Sequence, residues 1–173
     1  MNKVFFYEYP IGRLGIGEKY NSISAVFFCQ EKRPEFYERM ERIETPLIKQ
    51  AASQLEEYFK GHRRDFDLSL LLEGTDFQRS VWNSLLDIPY GHTCSYKDIA
   101  VDIGNPNACR AVGLANNRNP IVIIVPCHRV IGRDGSLTGY GGGLKVKEYL
   151  LNLENTEINF TPNLSHEPKV RRH

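Results

Sequence analysis

Pro126-Cys127-His128-Arg129 sets a thiol beside an imidazole, and that pair is the first chemistry the chain offers. Thiolate is the form in which cysteine attacks, and an adjacent histidine is the usual base that generates it near neutral pH. Taken alone, a Cys-His dipeptide also fits a small residue packed as a hydrophobe. The residues before it bear on how rigidly the thiol is held. Ile121-Val122-Ile123-Ile124-Val125 is a β-branched run bounded by Asn119-Pro120 and Pro126. Its length and composition predict a buried core strand with the cysteine at its end.

Other reactive groupings are few. Cys29, Cys94 and Cys109 are far apart and form no CxxC pair with each other or with Cys127, which argues against a disulfide framework and a four-ligand zinc site. No metal and no cofactor are expected. The glycine-rich stretch Thr138-Gly139-Tyr140-Gly141-Gly142-Gly143 lacks the Lys-Ser/Thr ending of a phosphate loop, which argues against a nucleoside triphosphate. With 22 Lys and Arg against 21 Asp and Glu, no overall basicity announces a nucleic-acid partner, so any such contact must come from a local arrangement. The beginning of the chain lacks a signal-peptide core and no apolar stretch reaches membrane-spanning length, so a soluble, cytoplasmic protein without membrane contact is expected.

The elements that must position the Cys-His pair follow from pattern and punctuation. Aromatic and β-branched segments around Phe5-Phe6-Tyr7, Leu14-Gly15-Ile16 and Ile23 to Phe28 predict a small antiparallel meander. A helix is expected from Pro46 to Lys60, capped by Thr45 and stopped by Gly61, with Leu47, Ile48, Ala51, Ala52, Leu55, Tyr58 and Phe59 as a core-facing stripe. Phe66, Leu68, Leu70 and Leu72 alternate as a strand would, and Glu73-Gly74 closes a first domain, residues 1–74. A second, residues 75–155, opens with the capping box Thr75…Gln78, followed by Ser95…Asp98 at the start of a short helix. Asn105 and Pro106 predict a third helix running to about Asn116, completing a helix-turn-helix outline. Ala108, Ala111, Val112 and Ala115 are expected to pack inward and Arg110 to be exposed. A final helix spans roughly Leu144 to Leu153, and residues 156–173 read as a fraying tail.

These pieces carry a resemblance. Pro126-Cys127-His128-Arg129-Val130, preceded by Asn119-Pro120 and followed by Tyr140-Gly141-Gly142-Gly143, resembles the O6-alkylguanine-DNA alkyltransferases, also called methylated-DNA protein-cysteine methyltransferases. The likeness extends through Phe77-Gln78, Val81-Trp82, Ile88-Pro89-Tyr90-Gly91, Ser95-Tyr96, Gly104-Asn105-Pro106, Arg110-Ala111-Val112-Gly113 and Lys147-Glu148, essentially residues 75 to 155. The first 74 residues match only through a sheet-then-helix plan. The resemblance implies a mixed α/β (α+β) fold: a ribonuclease-H-like N-terminal domain followed by a helical, winged-helix-like domain with a helix-turn-helix.

It also implies a function: direct repair of DNA by irreversible, stoichiometric transfer of the alkyl group from O6-alkylguanine, with O4-alkylthymine left open as a second substrate, to a cysteine after base flipping. Cys127 would be the nucleophile, His128 its water-linked base, Glu154 the carboxylate that orients the ring, and Tyr96 the donor to the departing guanine. Asn119 would hold the segment that carries the thiol. Arg110 would enter the duplex in place of the flipped base, with Ala111 and Gly113 permitting close approach to the minor groove of double-stranded DNA. Ser95 would meet the DNA and, with Tyr140, line the pocket. The Cys127 and Val130 carbonyls would accept from the guanine amino group, and the Gly141 amide would face its oxygen. A monomer is implied. Gly141 stands where some members have serine, and Asn117 where many end the helix with glycine. A thiol hydrolase would leave the helix-turn-helix unexplained, and damage-sensing relatives replace the cysteine that this chain retains.

Overall fold

Aromatic and β-branched residues suit a pleated, half-buried surface, and the first three segments form an antiparallel meander: β1 (Lys3–Tyr9), β2 (Gly12–Lys19) and β3 (Ser22–Phe28). The chain is described over residues 2–30 and 34–154 in a computed structural model; the expected tail lies outside the described residues. Tyr20 and Asn21 join β2 to β3 with φ of 51° and 56°, a turn whose twist matches that of the strands. A short helix, α1 (Pro34–Glu38), and a two-residue strand, β4 (Glu41–Arg42), follow, neither announced by the hydrophobic pattern. β4 pairs parallel to β1, so the sheet order is β3-β2-β1-β4.

Helix α2 (Pro46–Phe59) covers the sheet. The Thr45 hydroxyl accepts from Ile48 N at 3.1 Å and donates to Glu18, a cap of the kind that contributes about 1 kcal/mol. Ile48, Ala51, Ala52, Leu55, Tyr58 and Phe59 are buried, as their spacing requires.

Two expected strands do not form, for one reason. β3 has a single open edge seven residues long, and two segments share it. Leu70 bridges Ile23, with Ile23 N donating to Ser69 O and Leu71 N to Ile23 O. Ile121 bridges Val26, with Val26 N donating to Pro120 O and Val122 N to Val26 O. Neither can extend a ladder, so 66–72 keeps only its alternating burial, and 121–125 turns back on itself. Ile123 has φ of 72°, with Ile124 N bonded to Val122 O and Val125 N to Ile121 O. That is a γ turn on the rare, strained branch, buried throughout.

The helical half comprises α3 (Asp76–Leu86), β5 (Cys94–Ser95), α4 (Tyr96–Asp102), α5 (Cys109–Asn117), a 3-10 turn (Cys127–Arg129), β6 (Val130–Ile131) and α6 (Leu144–Leu153). Both capping boxes form. α5 begins later than Asn105 and Pro106 suggest. Gly104, at φ 75°, and Asn105 close α4 instead, donating to Val101 O and Ala100 O, so the amide that would begin a helix ends one. α5 then starts at Cys109 without a side-chain cap. The shift also corrects Ala111, which is exposed, while Val112, Ala115 and Asn116 face inward. Trp82 Nε1 donates to Ala115 O at 2.8 Å and fixes α5 against α3. Residues of β3, α2, α3, α5 and the 121–125 segment belong to one continuous core.

Candidate active site

The γ turn delivers the chain to Cys127, which is 3% exposed and opens the 3-10 turn. Asn119 holds this approach by three bonds. Its Oδ1 accepts from Ile121 N at 3.0 Å, and its Nδ2 donates to Val125 O at 2.8 Å and lies 3.1 Å from Cys127 Sγ. A donor aimed at sulfur favours thiolate over thiol. Asn116, which the sequence marks only as the end of a helix, adds a bond from Nδ2 to Cys127 O at 3.4 Å.

His128 is wholly buried, and its Nε2 lies 2.8 Å from Glu154 Oε1. An ionised carboxylate only accepts, so Nε2 is assigned the proton. Nδ1 then remains a base with no hydrogen-bond partner among the described residues. Burial pulls the imidazole below its ordinary pKa, Glu154 works against that, and Arg129 and Lys147 add to it, so the ring is neutral at rest. Burial alone would raise the Glu154 carboxyl, but hydrogen bonds and charge from His128 and Arg129 outweigh it and hold the group at about 2. Arg129 grips both oxygens, Nε to Oε2 at 2.9 Å and Nη2 to Oε1 at 3.0 Å, while its Nη1 donates to Ile88 O at 2.6 Å. Gly91 N reaches Oε2 at 3.3 Å. A fifth donor comes from the sheet half: Tyr58 of α2 gives its hydroxyl to Oε1 at 2.6 Å.

The short parallel pairing of Cys94 with Val130 and Ser95 with Ile131 brings the start of α4 beside this turn. Tyr96 is half-buried there, its hydroxyl donating to Thr138 O at 3.2 Å. Burial raises its pKa, the Thr138 bond opposes this, and negative charge on Cys127 or Cys94 adds to it. Gly113 of α5 faces the same ring, where an added Cβ would sit 3.7 Å from Cδ1. Lys147 is wholly buried and donates to Val130 O at 2.6 Å and Thr138 O at 2.9 Å. Burial lowers its ammonium to about 8, against a pull from Cys127. The Val130 carbonyl therefore already serves one donor.

Arg110 and Ala111 lie exposed on α5, well suited to an outside partner. Ser95 is 2% exposed, its hydroxyl engaged with Asp98 in the α4 cap. Tyr140 packs edge-on against Phe28 at 5.9 Å, and Gly141 is exposed beside it. The structure thus gathers two bonded pairs, Cys127 with Asn119 and His128 with Glu154, on consecutive residues of one turn with Tyr96 on the flank, and places Arg110 and Ala111 on the surface. Tyr58, Arg129, Lys147 and Asn116 join these pairs without having been singled out for it. No helix among the described residues is long and apolar enough to cross a membrane.

A buried cysteine held by an amide donor and followed by a His-Glu pair, beside the helices α4 and α5, defines a class: a protein built around a positioned cysteine. Comparison with known proteins narrows it. Residues 76–156 match the 6-O-methylguanine DNA methyltransferase DNA-binding domain, and residues 3–72 match the ribonuclease-like domain of the same proteins. The chain is 57% identical over 135 residues to a methylated-DNA–protein-cysteine methyltransferase of Methanosarcina barkeri, covering 73% of this chain and 85% of that one. An O6-methylguanine methyltransferase structure from Mycobacterium tuberculosis superposes with a TM-score of 0.84 at 45% identity, covering 89% and 93% of the two chains. The Mycobacterium tuberculosis OGT in complex with DNA gives 0.81 at 46% identity over 88% and 92%. The chain belongs to the methylated-DNA–protein-cysteine methyltransferase family.

Proposed function

We propose that this protein repairs alkylated guanine in DNA by taking the alkyl group onto Cys127, once per molecule and without a cofactor. The observation that carries the assignment of the acceptor is the cluster itself: a buried sulfur with an amide donor at 3.1 Å, followed by an imidazole bonded at 2.8 Å to an ionised carboxylate. In this reading the Cys127 proton passes to Nδ1 of His128, through a water, and Glu154 stabilises the imidazolium that forms. The sulfur attacks the alkyl carbon in line with the O6–carbon bond, a new C–S bond forms, and the bond to O6 breaks. Electrons left on the guanine are met by the Tyr96 hydroxyl at a ring nitrogen. The thioether has no easy leaving group, so the cysteine is consumed.

The target base reaches a buried sulfur only by leaving the stack, at a cost of a few kcal/mol. In this reading Arg110 occupies the gap, and Ala111 and Gly113 let α5 approach the minor groove. Double-stranded DNA is the partner in this reading, bound by a monomer in the cytoplasm. Val130, Tyr140, Gly141 and Ser95 form the guanine pocket, and the acceptor domain begins near residue 75. Incubation with a duplex containing O6-methylguanine is expected to add one methyl mass to the Cys127 peptide, with at most one turnover per molecule. Multiple turnover, or modification at Cys94 or Cys109 alone, would sink the mechanism.

A further inference from the structure

Glu154 Oε1 receives three donors: Tyr58 Oη at 2.6 Å, His128 Nε2 at 2.8 Å and Arg129 Nη2 at 3.0 Å. One carboxylate oxygen offers about two lone pairs, so these bonds compete for it. Tyr58 Oη also lies 3.5 Å from His128 Nε2, which puts the phenol and the imidazole side by side on the same acceptor. The phenol is held there firmly. It is wholly buried, its ring packed edge-on against Phe59 and Tyr90 and tilted against Phe66. Burial and the neighbouring carboxylate push its ionisation far upward, so it stays a donor at any working pH.

We propose that Tyr58, supplied by α2 of the ribonuclease-like half, is a positioning residue for alkyl transfer that acts on His128 through Oε1 of Glu154. By taking part of that oxygen, the phenol weakens the bond that stabilises the imidazolium and so sets the pH at which the proton leaves Cys127. The charged and titratable groups around the relay are Lys147 from α6 and Glu154 at its C-terminal cap, Arg129 from the 3-10 turn, Tyr58 from α2 and Tyr90, the last with Arg64 at 5.4 Å and Arg129 at 5.8 Å over its ring. Of the three donors to Oε1, Arg129 is always charged and His128 becomes charged when it takes the proton, whereas Tyr58 stays neutral throughout. Removing it leaves the oxygen to His128 and Arg129, strengthens the bond to the imidazole, and moves thiolate formation to lower pH. The inference rests on Cys127 being the acceptor thiol.

The test is Tyr58→Phe, which keeps the ring and deletes the hydroxyl. Two profiles are recorded against pH: the reaction rate with free O6-benzylguanine, and the ultraviolet thiolate absorbance of Cys127 in a background where Cys29, Cys94 and Cys109 are serine. Loss of one hydrogen bond corresponds to a midpoint about half a unit to one unit lower in both profiles. Tyr90→Phe, whose hydroxyl bonds Leu153 O and not the carboxylate, should leave the midpoint in place. Site-specific replacement of Tyr58 by 3-fluorotyrosine, a stronger donor of the same shape, should move it upward, and this holds whether or not the phenylalanine variant folds. An unchanged or raised midpoint for Tyr58→Phe, an equal shift for Tyr90→Phe, or no upward shift with 3-fluorotyrosine would overturn the proposal. Because the absorbance profile requires no alkyl donor, failure of the alkyl-transfer reading itself would appear separately, as a normal thiolate titration without reaction.

Discussion

Asn119 shows how one side chain can serve fold and chemistry together. Its oxygen satisfies Ile121 N and its nitrogen satisfies Val125 O, both on the buried γ turn, and the same nitrogen faces the Cys127 sulfur. Asn119→Ala removes all three. Ile121 N is left unsatisfied at about 1–3 kcal/mol, while Val125 O keeps the bond from Cys127 N at 2.8 Å, so the urea midpoint should fall. The thiolate also loses a donor that favours its charged form, so the acid limb of the rate profile with O6-benzylguanine should move to higher pH. A large stability loss with an unmoved limb would show that the amide only braces the turn. Asn119 is legible in the sequence through the family resemblance, as the residue that opens the apolar run leading to Cys127. Tyr58 is not: its spacing on α2 predicts burial correctly, but the partner of its hydroxyl lies 96 residues away and leaves no local trace. Lys147 escapes for a related reason, since a lysine on a terminal helix reads as surface, and only the carbonyls of Val130 and Thr138 explain its burial.

At the scale of elements, what was legible was what is settled locally. Thr45, the Thr75 box and the Ser95 box mark their helices because cap and partner sit three residues apart. The 121–125 run misleads because periodicity registers burial and not direction, and whether it pairs depends on how much of the β3 edge Leu70 has already taken. The loop that carries Tyr140 and Gly141 is positioned from a similar distance. Gly142 lies against the Phe28 ring, and a Cβ built there would stand 2.7 Å from Cζ. Phe28 is 2% exposed and cannot yield, so Gly142→Ala should displace the loop. A shift of about 1 Å near reacting groups costs up to roughly a hundredfold in rate. The expected outcome is a fall of roughly tenfold to a hundredfold with O6-benzylguanine and a melting temperature within a few degrees of the parent. An unaltered rate would mean that the loop does not shape the pocket.

Over the whole molecule, Glu154 is a side-chain joint between the two halves, beside the backbone bonds of Val26 with Pro120 and Val122, and is bonded to Tyr58 from one half and to Gly91, His128 and Arg129 from the other. Its protonation should therefore reach global stability. The folded carboxyl sits at about 2 against an ordinary 4.5, so the contribution is present above about 4.5 and is lost as pH falls toward 2. His128 acts in the same sense: its folded value is depressed below 6.5, so the unfolded chain takes up the proton first and stability begins to decline below that pH. A drop from 4.5 to about 2 corresponds to roughly 3 kcal/mol. Urea midpoints measured from neutral pH down to about pH 3 should decline gently at first and steeply below about 4.5. In Glu154→Gln the steep part should vanish, from a lower starting stability because Arg129 loses its counter-charge within a buried site. If that variant kept the parent's acid slope, the carboxylates responsible would lie elsewhere and Glu154 would not be a joint between the halves.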